Sequence, residues 1–109
     1  MKKFLIIAAL SLAACTPPEA SGVKVIVGAK LIAAPGREPI EYSVVVIEGG
    51  KITAAGPQAT TPVPKGSEIT RGIGMTIEPD GDSIDPGHPA NLILKGATER
   101  KMHNGEWMP

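Results

Sequence analysis

The sequence predicts an all-β fold, a small β-sandwich, for the part of the chain that follows an N-terminal signal segment. Runs of β-branched residues recur at short intervals, and their stiff side chains favour a pleated strand over a helix. Glycine, proline and Asn-Gly turn signals separate these runs. Beyond the signal segment no stretch has the apolar period of an amphipathic helix. A sandwich or a small open barrel follows from this pattern.

The first strand is predicted from Val23, where V-K-V-I-V alternates in the two-residue period of a strand. This alternation places Val23, Val25 and Val27 on one face. A loop follows, because Pro35-Gly36 signals a turn and Pro39 keeps the chain irregular.

A β-hairpin is predicted next, with strands over Ser43–Ile47 and Lys51–Ala55. The intervening Glu48-Gly49-Gly50 supplies residues that tolerate a positive φ, which a tight hairpin loop requires. Gly56-Pro57 ends the second strand, and the proline-rich residues 60–66 then form a surface loop.

The last third of the chain carries shorter strand signals. Residues 75–77 and 92–94 each predict one short strand, and Pro79-Asp80-Gly81 predicts a turn between them. Asn104-Gly105 is the dipeptide preferred in a two-residue type I′ loop, so the final strand pairs back across it. Tyr42 and Trp107 are interpreted as anchors in the core or at a sheet edge, with one indole face buried.

The N-terminus has the three parts of a secretory signal. Lys2 and Lys3 precede an apolar run from Phe4 to Leu10, which is too short to span a bilayer. The tetrapeptide that follows resembles a bacterial lipobox, which implies that Cys15 is lipidated and becomes the first residue of the mature chain; its members are Leu12, Ala13, Ala14 and Cys15. We therefore divide the chain into a signal peptide (1–14), a lipidated cysteine with a flexible tether (15–22) and a β-sandwich domain (23–109).

Composition narrows the function further. Cys15 is the only cysteine, so the chain can form neither an internal disulfide nor a thiolate zinc site. Cleavage of the signal removes Lys2 and Lys3 and leaves nine basic against eleven acidic residues. The domain is weakly acidic, and the whole chain has one Phe, one Tyr and one Trp. It therefore has neither the basic patch nor the aromatic surface that binds nucleic acid.

Four motifs, in order, resemble the β-sandwich of metal-dependent amidohydrolases of the imidazolonepropionase-like and dihydroorotase-like groups. V-K-V-I-V-G-A-K-L-I, V-V-V-I-E-G-G-K-I-T-A-A-G and G-M-T-I-E-P resemble the strands with which these enzymes begin. S-I-D-P-G-H-P-A-N-L-I-L, from Ser83 to Leu94, resembles the segment that follows their catalytic barrel. The resemblance covers Val23 to Met108, and Asn91 stands where the family usually has aspartate. It implies the small composite sandwich domain of an amidohydrolase.

The resemblance also implies that the catalytic (β/α)8 barrel is missing. In the full enzymes a barrel of roughly 250 residues would lie between Pro79 and Ser83. The family's H-x-H motif and its later metal ligands have no counterpart in this sequence. Asp85 and His88 can be read as a decayed D-x-H, but they fit the post-barrel motif better. We expect no catalytic residue, no metal ligand and no cofactor in this chain.

Two further groups are interpreted as structural. His88 lies next to Pro89 in a predicted turn and His103 flanks the Asn-Gly loop, which favours solvated loop histidines over metal ligands. The acidic residues Asp80, Asp82 and Asp85 raise the alternative of a calcium loop, but their spacing does not fit an EF-hand.

Two functions from different classes remain open. The first is a lipid-anchored, non-catalytic sandwich in the bacterial cell envelope, facing the periplasm, which binds a partner or is the remnant of an amidohydrolase. The second is a hydrolase of non-peptide C–N bonds, as one piece of a split or truncated enzyme. We also expect an outward apolar pair on the most hydrophobic strand to bind a second copy or a barrel-bearing partner; the candidates are Val44, Val45, Val46 and Ile47.

Overall fold

The computed structural model describes residues 22–109, which form nine β-strands in two sheets. The signal peptide, the lipobox and the tether before Gly22 lie outside the described residues. Within residues 22–109 no helix has the length and apolarity that a membrane span requires. The predicted all-β sandwich is confirmed. The strands are β1 (Lys24–Val27), β2 (Lys30–Leu31), β3 (Ser43–Glu48), β4 (Lys51–Pro57), β5 (Glu68–Arg71), β6 (Thr76–Pro79), β7 (Leu92–Lys95), β8 (Glu99–His103) and β9 (Glu106–Trp107).

The first sheet has the order β4-β3-β1-β5. The predicted hairpin forms its centre: β3 and β4 are antiparallel and joined by Gly49-Gly50, whose φ angles of 60° and 80° are those of the expected tight loop. β1 pairs antiparallel with β3, and β5 pairs parallel with β1. A parallel neighbour cannot be reached by a hairpin, so the chain must cross the sheet before β5 begins.

The second sheet has the order β9-β8-β7-β6-β2. Its strands β6 to β9 are successive antiparallel neighbours, and Asn104-Gly105 closes the last hairpin with φ angles of 49° and 83°. The type I′ loop predicted there is confirmed. The edge strand β2 enters this sheet by parallel pairing with β6.

Gly28 marks the point at which the chain changes sheets. It separates β1 from β2 and has a φ of 96°, a backbone conformation that favours glycine. A Cβ atom at this position would lie 2.6 Å from Cγ1 of Ile73. Ser43 stabilises this change of sheet. It is fully buried and donates hydrogen bonds to the carbonyl of Ala29 from its amide (2.9 Å) and its hydroxyl (2.8 Å).

The main core lies between the two sheets and combines the inward side chains of both. Strands β3 and β6 place Val45, Ile47 and Ile77 in the interior. Partly buried residues that pack against it include Trp107, so the predicted indole anchor is confirmed. The buried members are Ile26, Ala29, Leu31, Ala33, Val45, Ile47, Ile52, Ile77, Ile84, Ala90, Leu92, Leu94 and Met102.

A second, smaller apolar cluster lies on the outer face of the first sheet. We call it the outer cluster; its buried members are Val23, Val25, Val44 and Val46. The sequence predicts that one pair on β3 lies exposed, but Val44 is 0% and Val46 3% exposed, and Val45 and Ile47 lie in the main core. The prediction of an exposed apolar face is therefore wrong, although one pair, Val44 and Val46, does point away from the main core.

Residues 58–67, here called the crossover, pass over the face of the first sheet that carries the outer cluster. They connect β4 to β5, which lie at opposite edges of the first sheet, while the second sheet occupies the inner face. Gly56 pairs with Val44 and shares its outward face, and a Cβ on Gly56 would lie 2.8 Å from Oγ1 of Thr61. Thr61 in the crossover therefore lies over the outer face. The predicted surface loop is confirmed, because most of residues 58–67 are exposed, and through Thr61 this loop contacts the outer face of the sheet.

Strands β2 and β5 are not predicted from the sequence, and the prediction for one aromatic residue is wrong. Tyr42 is 64% exposed, with a φ of 50°. Its carbonyl accepts a hydrogen bond from the amide of Gln58 at 2.9 Å. Tyr42 is therefore no core anchor; its backbone fixes the start of the crossover.

Candidate functional site: the junction segment

Residues 80–91, here called the junction segment, contain most of the motif that resembles the post-barrel segment. They connect β6 to β7, which are adjacent strands of the second sheet. Adjacent antiparallel strands need only a short turn. A connection of this length can therefore also contact other parts of the domain. The segment contains Asp80, Asp82, Asp85 and His88, the polar residues for which the sequence raises chemical roles.

The junction segment first binds the edge of the first sheet. The amide of Ile52 donates to the carbonyl of His88 at 2.9 Å, and the amide of Gly87 donates to the carbonyl of Ile52 at 2.8 Å. The amide of Ala90 donates to the carbonyl of Gly50 at 2.9 Å. These bonds satisfy outward backbone groups of β4 that would otherwise form an open sheet edge.

The same segment also binds the last hairpin of the second sheet. The amide of Gly105 donates to the carbonyl of Ala90 at 3.1 Å, and the amide of Asn104 donates to the side-chain oxygen Oδ1 of Asn91 at 2.7 Å. The carbonyl of Asn91 accepts from the amide of Asp80 at 3.0 Å. Asn91 therefore closes the segment on itself and attaches it to the hairpin.

The tips of the two hairpins touch beneath this segment. A Cβ atom on Gly105 would lie 2.8 Å from Cα of Gly50, and one on Gly50 would lie 2.9 Å from the carbonyl oxygen of Asn104. Only glycine allows the backbones to approach this closely. The motif residues and the two turn dipeptides thus form one interlocked structure, which we call the clasp: Gly49, Gly50, Pro89, Ala90, Asn91, Asn104 and Gly105.

An ion pair fastens the other end of the junction segment. Arg37 donates from its two terminal guanidinium nitrogens to the two carboxylate oxygens of Asp85, at 2.7 Å and 3.2 Å. Hydrogen bonding from Arg37, then from Ser83, holds the pKa of Asp85 below its ordinary value, and the pKa of Arg37 is raised by the same bond. Next to Asp85, the amide of Ile84 donates to the carbonyl of Ala33 at 2.7 Å, and the Ile84 side chain is buried in the main core.

The polar side chains of the segment do not converge. Asp82 and His88 line a shallow hollow of about 170 Å³ with Ser83 and Asn91. Asp80 lies outside that lining, as does Asp85, which is bound to Arg37. Among residues 22–109 no three His, Cys, Asp or Glu side chains are grouped to hold a metal ion.

The structure separates the two histidines, one in the junction segment and one at the end of a strand. His88 is half-buried in the junction segment, and its carbonyl accepts a hydrogen bond from the amide of Ile52 in β4. His103 is exposed at the end of β8. Cys15 and the rest of the lipobox fall outside the described residues. Sequence reasoning missed Arg37, whose partner lies 48 positions away, and it missed the hairpin contact of Asn91.

Comparisons with known proteins give a partial similarity to two hydrolases. No family model and no curated protein matches the chain. A solved structure of molinate hydrolase is 32% identical with a TM-score of 0.48, and one of phenylurea hydrolase B is 30% identical with a TM-score of 0.48. Each match covers 52% of this chain and 12% of the other. The chain therefore spans only a small part of the length of either hydrolase.

Proposed function

We propose that this chain is a lipid-anchored, amidohydrolase-like β-sandwich of the bacterial cell envelope that performs no catalysis by itself. One observation carries the proposal: the residues that resemble the post-barrel motif are occupied by structural contacts. His88, Ala90 and Asn91 hold the sheet edge and the last hairpin, and Asp85 is neutralised by Arg37. In this chain the motif therefore has a structural role: it connects the first sheet to the last hairpin of the second sheet.

The point at which a barrel would be inserted supports the same proposal. β6 ends at Pro79, and the chain re-enters the main core at Ile84. The short link between them is exposed or half-buried, and its first residue, Asp80, donates its amide to Asn91 at 3.0 Å. The two halves of the sandwich are thus neighbours in sequence as well as in space, and they pair along β6 and β7.

The anchoring part of the proposal is supported by the lipobox that ends at Cys15. Several acyl chains, at about 0.8 kcal/mol per buried methylene, hold a protein stably on a membrane. The linker of residues 16–21 spans at most about 20 Å when extended. A domain attached in this way stays close to the bilayer and faces the periplasm.

The test of anchoring replaces Cys15, since both lipid attachment and lipoprotein cleavage need its thiol. Cys15→Ser expressed in bacteria should incorporate no labelled palmitate and should accumulate as an uncleaved or soluble form. Ser21→Ala, which lies in the tether and leaves both the apolar run and the lipobox unchanged, serves as a control for expression. Equal palmitate incorporation in the wild type and Cys15→Ser would overturn the lipid anchor.

The catalytic part is tested on the lipidated protein purified from membranes in detergent. We expect no zinc in stoichiometric amount and no hydrolysis of amide, lactam or lactone substrates. One tightly bound zinc per chain, with hydrolysis lost on chelation, would overturn the proposal. Hydrolysis that appears only with a co-purifying barrel-bearing polypeptide would instead favour the alternative function, a split hydrolase of non-peptide C–N bonds.

A further inference from the structure

Strand β5 is an open sheet edge in the described part of the chain and has neither a bulge nor a proline. The opposite edge of the same sheet is interrupted, because Ile52 of β4 is bonded to the junction segment and the β3–β4 register shifts between Val46 and Ile47. In the second sheet, Leu31 of β2 exchanges two 2.8 Å hydrogen bonds with Ile40, and β9 is only two residues long. β5 has four residues and pairs with β1 on one side only.

The hydrogen-bond pattern fixes which backbone groups of β5 point outward. The amide of Glu68 donates to Val23 at 2.9 Å, and that of Gly72 donates to Val27 at 2.7 Å, so these residues face β1. Backbone groups alternate along a strand, so Ile69 and Arg71 direct both N–H and C=O away from β1. An exposed edge with unpaired donors and acceptors is a template for another strand.

We propose that this edge pairs antiparallel with β5 of a second copy, about a twofold axis that passes through Thr70. In this register Ile69 lies opposite Arg71 of the second copy, and the two threonines lie opposite each other. All outward groups of both strands are then used, which gives four backbone hydrogen bonds. The register centred on Ile69 would use Ser67 instead, whose amide already donates to Pro64 at 3.3 Å.

The side chains agree with the antiparallel direction. Glu68 and Arg71, both exposed, stand at opposite ends of the strand. They lie on opposite faces of the strand, so antiparallel pairing places Glu68 and Thr70 of both copies on one face and Ile69 and Arg71 of both copies on the other. Ile69, which is 49% exposed, would lie beside the aliphatic part of Arg71 of the second copy. An interface related by a twofold axis closes with two copies.

Disulfide trapping tests both the pairing and its register. The experiment uses the chain from Thr16 onward, which lacks Cys15 and retains every residue of the main core and the outer cluster. In a non-hydrogen-bonded antiparallel pair the two Cα atoms are about 4.5 Å apart, within disulfide range. Thr70→Cys should therefore form a disulfide dimer under mild oxidation.

Ile69→Cys is the matched control, because the two copies of this residue lie diagonally across the joint at about 7–8 Å, beyond easy bridging. We expect it to crosslink at least about tenfold more slowly than Thr70→Cys. Equal rates, or faster crosslinking at Ile69, would overturn the proposed pairing.

A proline variant tests the dimer without a thiol. Ile69→Pro removes one outward donor and no hydrogen bond to β1, whereas Ile69→Thr keeps that donor and reduces the apolar surface. In sedimentation at high protein concentration the wild type and Ile69→Thr should dimerise, and Ile69→Pro should remain a monomer. A wild type that stays monomeric at about 1 mM, where even weak pairs associate, would contradict the proposal.

Discussion

The main core and the outer cluster are built from the same β3 strand but are covered in different ways. Val45 and Ile47 face a second sheet, which supplies a full layer of side chains. Val44 and Val46 face the crossover, a single irregular segment. Alternation along a strand decides which side chains share a face, but it does not decide what covers that face. This difference explains how a strand with five buried residues in succession fits a chain of this size.

The largest expected change in the free energy of unfolding comes from a cavity in the main core, and a cavity in the outer cluster should cost less. Ile77→Ala in the main core should lower the free energy of unfolding by about 2–5 kcal/mol, because two sheets cannot close around the cavity. Val46→Ala should cost about 1–2 kcal/mol, since fewer methyl groups are removed and the crossover can settle inward. Urea unfolding measures both.

Val63→Ala is the control for that comparison, because its side chain lies in the crossover and is 38% exposed. It should change the free energy of unfolding by less than about 0.5 kcal/mol. If Val46→Ala were equally neutral, the outer cluster would not be a packed core.

A smaller effect tests whether the crossover lies where the structure places it. Gly56→Ala should destabilise the domain by about 1 kcal/mol or more, because its Cβ would meet Oγ1 of Thr61 at 2.8 Å. In a Thr61→Ala background the same change should cost less, with a coupling energy of about 0.5 kcal/mol or more. Strict additivity of the two substitutions in urea unfolding would show that Thr61 does not cover Gly56.

The smallest effect concerns the ion pair that fastens the junction segment. The pKa of Asp85 is lowered in the folded state, so the pair stabilises the fold above the ordinary pKa of 3.8. This contribution is lost as the pH falls through the lowered pKa. Arg37→Gln should therefore lower the melting temperature near pH 7 and make little difference near about pH 2. The pair is exposed, so the shift should be small.

Lys65→Gln is the matched control for the pH experiment. Lys65 is exposed and belongs to none of the ion pairs of residues 22–109. Its removal should leave the pH dependence of the melting temperature unchanged. A difference between wild type and Arg37→Gln that grew as the pH fell would contradict the assigned role of Asp85.

Local signals predicted the turns and central strands of this fold, whereas long-range pairing decided the rest. Gly49-Gly50 and Asn104-Gly105 are turn dipeptides whose conformation depends on neighbouring residues. β5 pairs in parallel with a distant strand at an exposed edge, so its sequence lacks the apolar alternation of a half-buried strand. β2 is two residues long and carries almost no pattern.

In the candidate site, too, the local motif can be predicted from the sequence and the long-range contacts cannot. The motif from Ser83 to Leu94 can be found from its order in the sequence, but its contacts cannot. Asn91 binds the backbone of Asn104, and Asp85 binds Arg37 in a loop 48 positions away. Neither partner carries a local signal, because the two sheets must first assemble before these groups meet.

The most direct test of the account asks whether the sandwich is a complete folding unit without a barrel. The chain from Thr16 onward should unfold in urea in one cooperative transition. Trp107 fluorescence, which reports the packing of the second sheet on the main core, should coincide with far-UV circular dichroism, which reports both sheets. Separate midpoints, or a gradual loss of signal without a transition, would contradict the claim that the clasp and the crossover complete this fold.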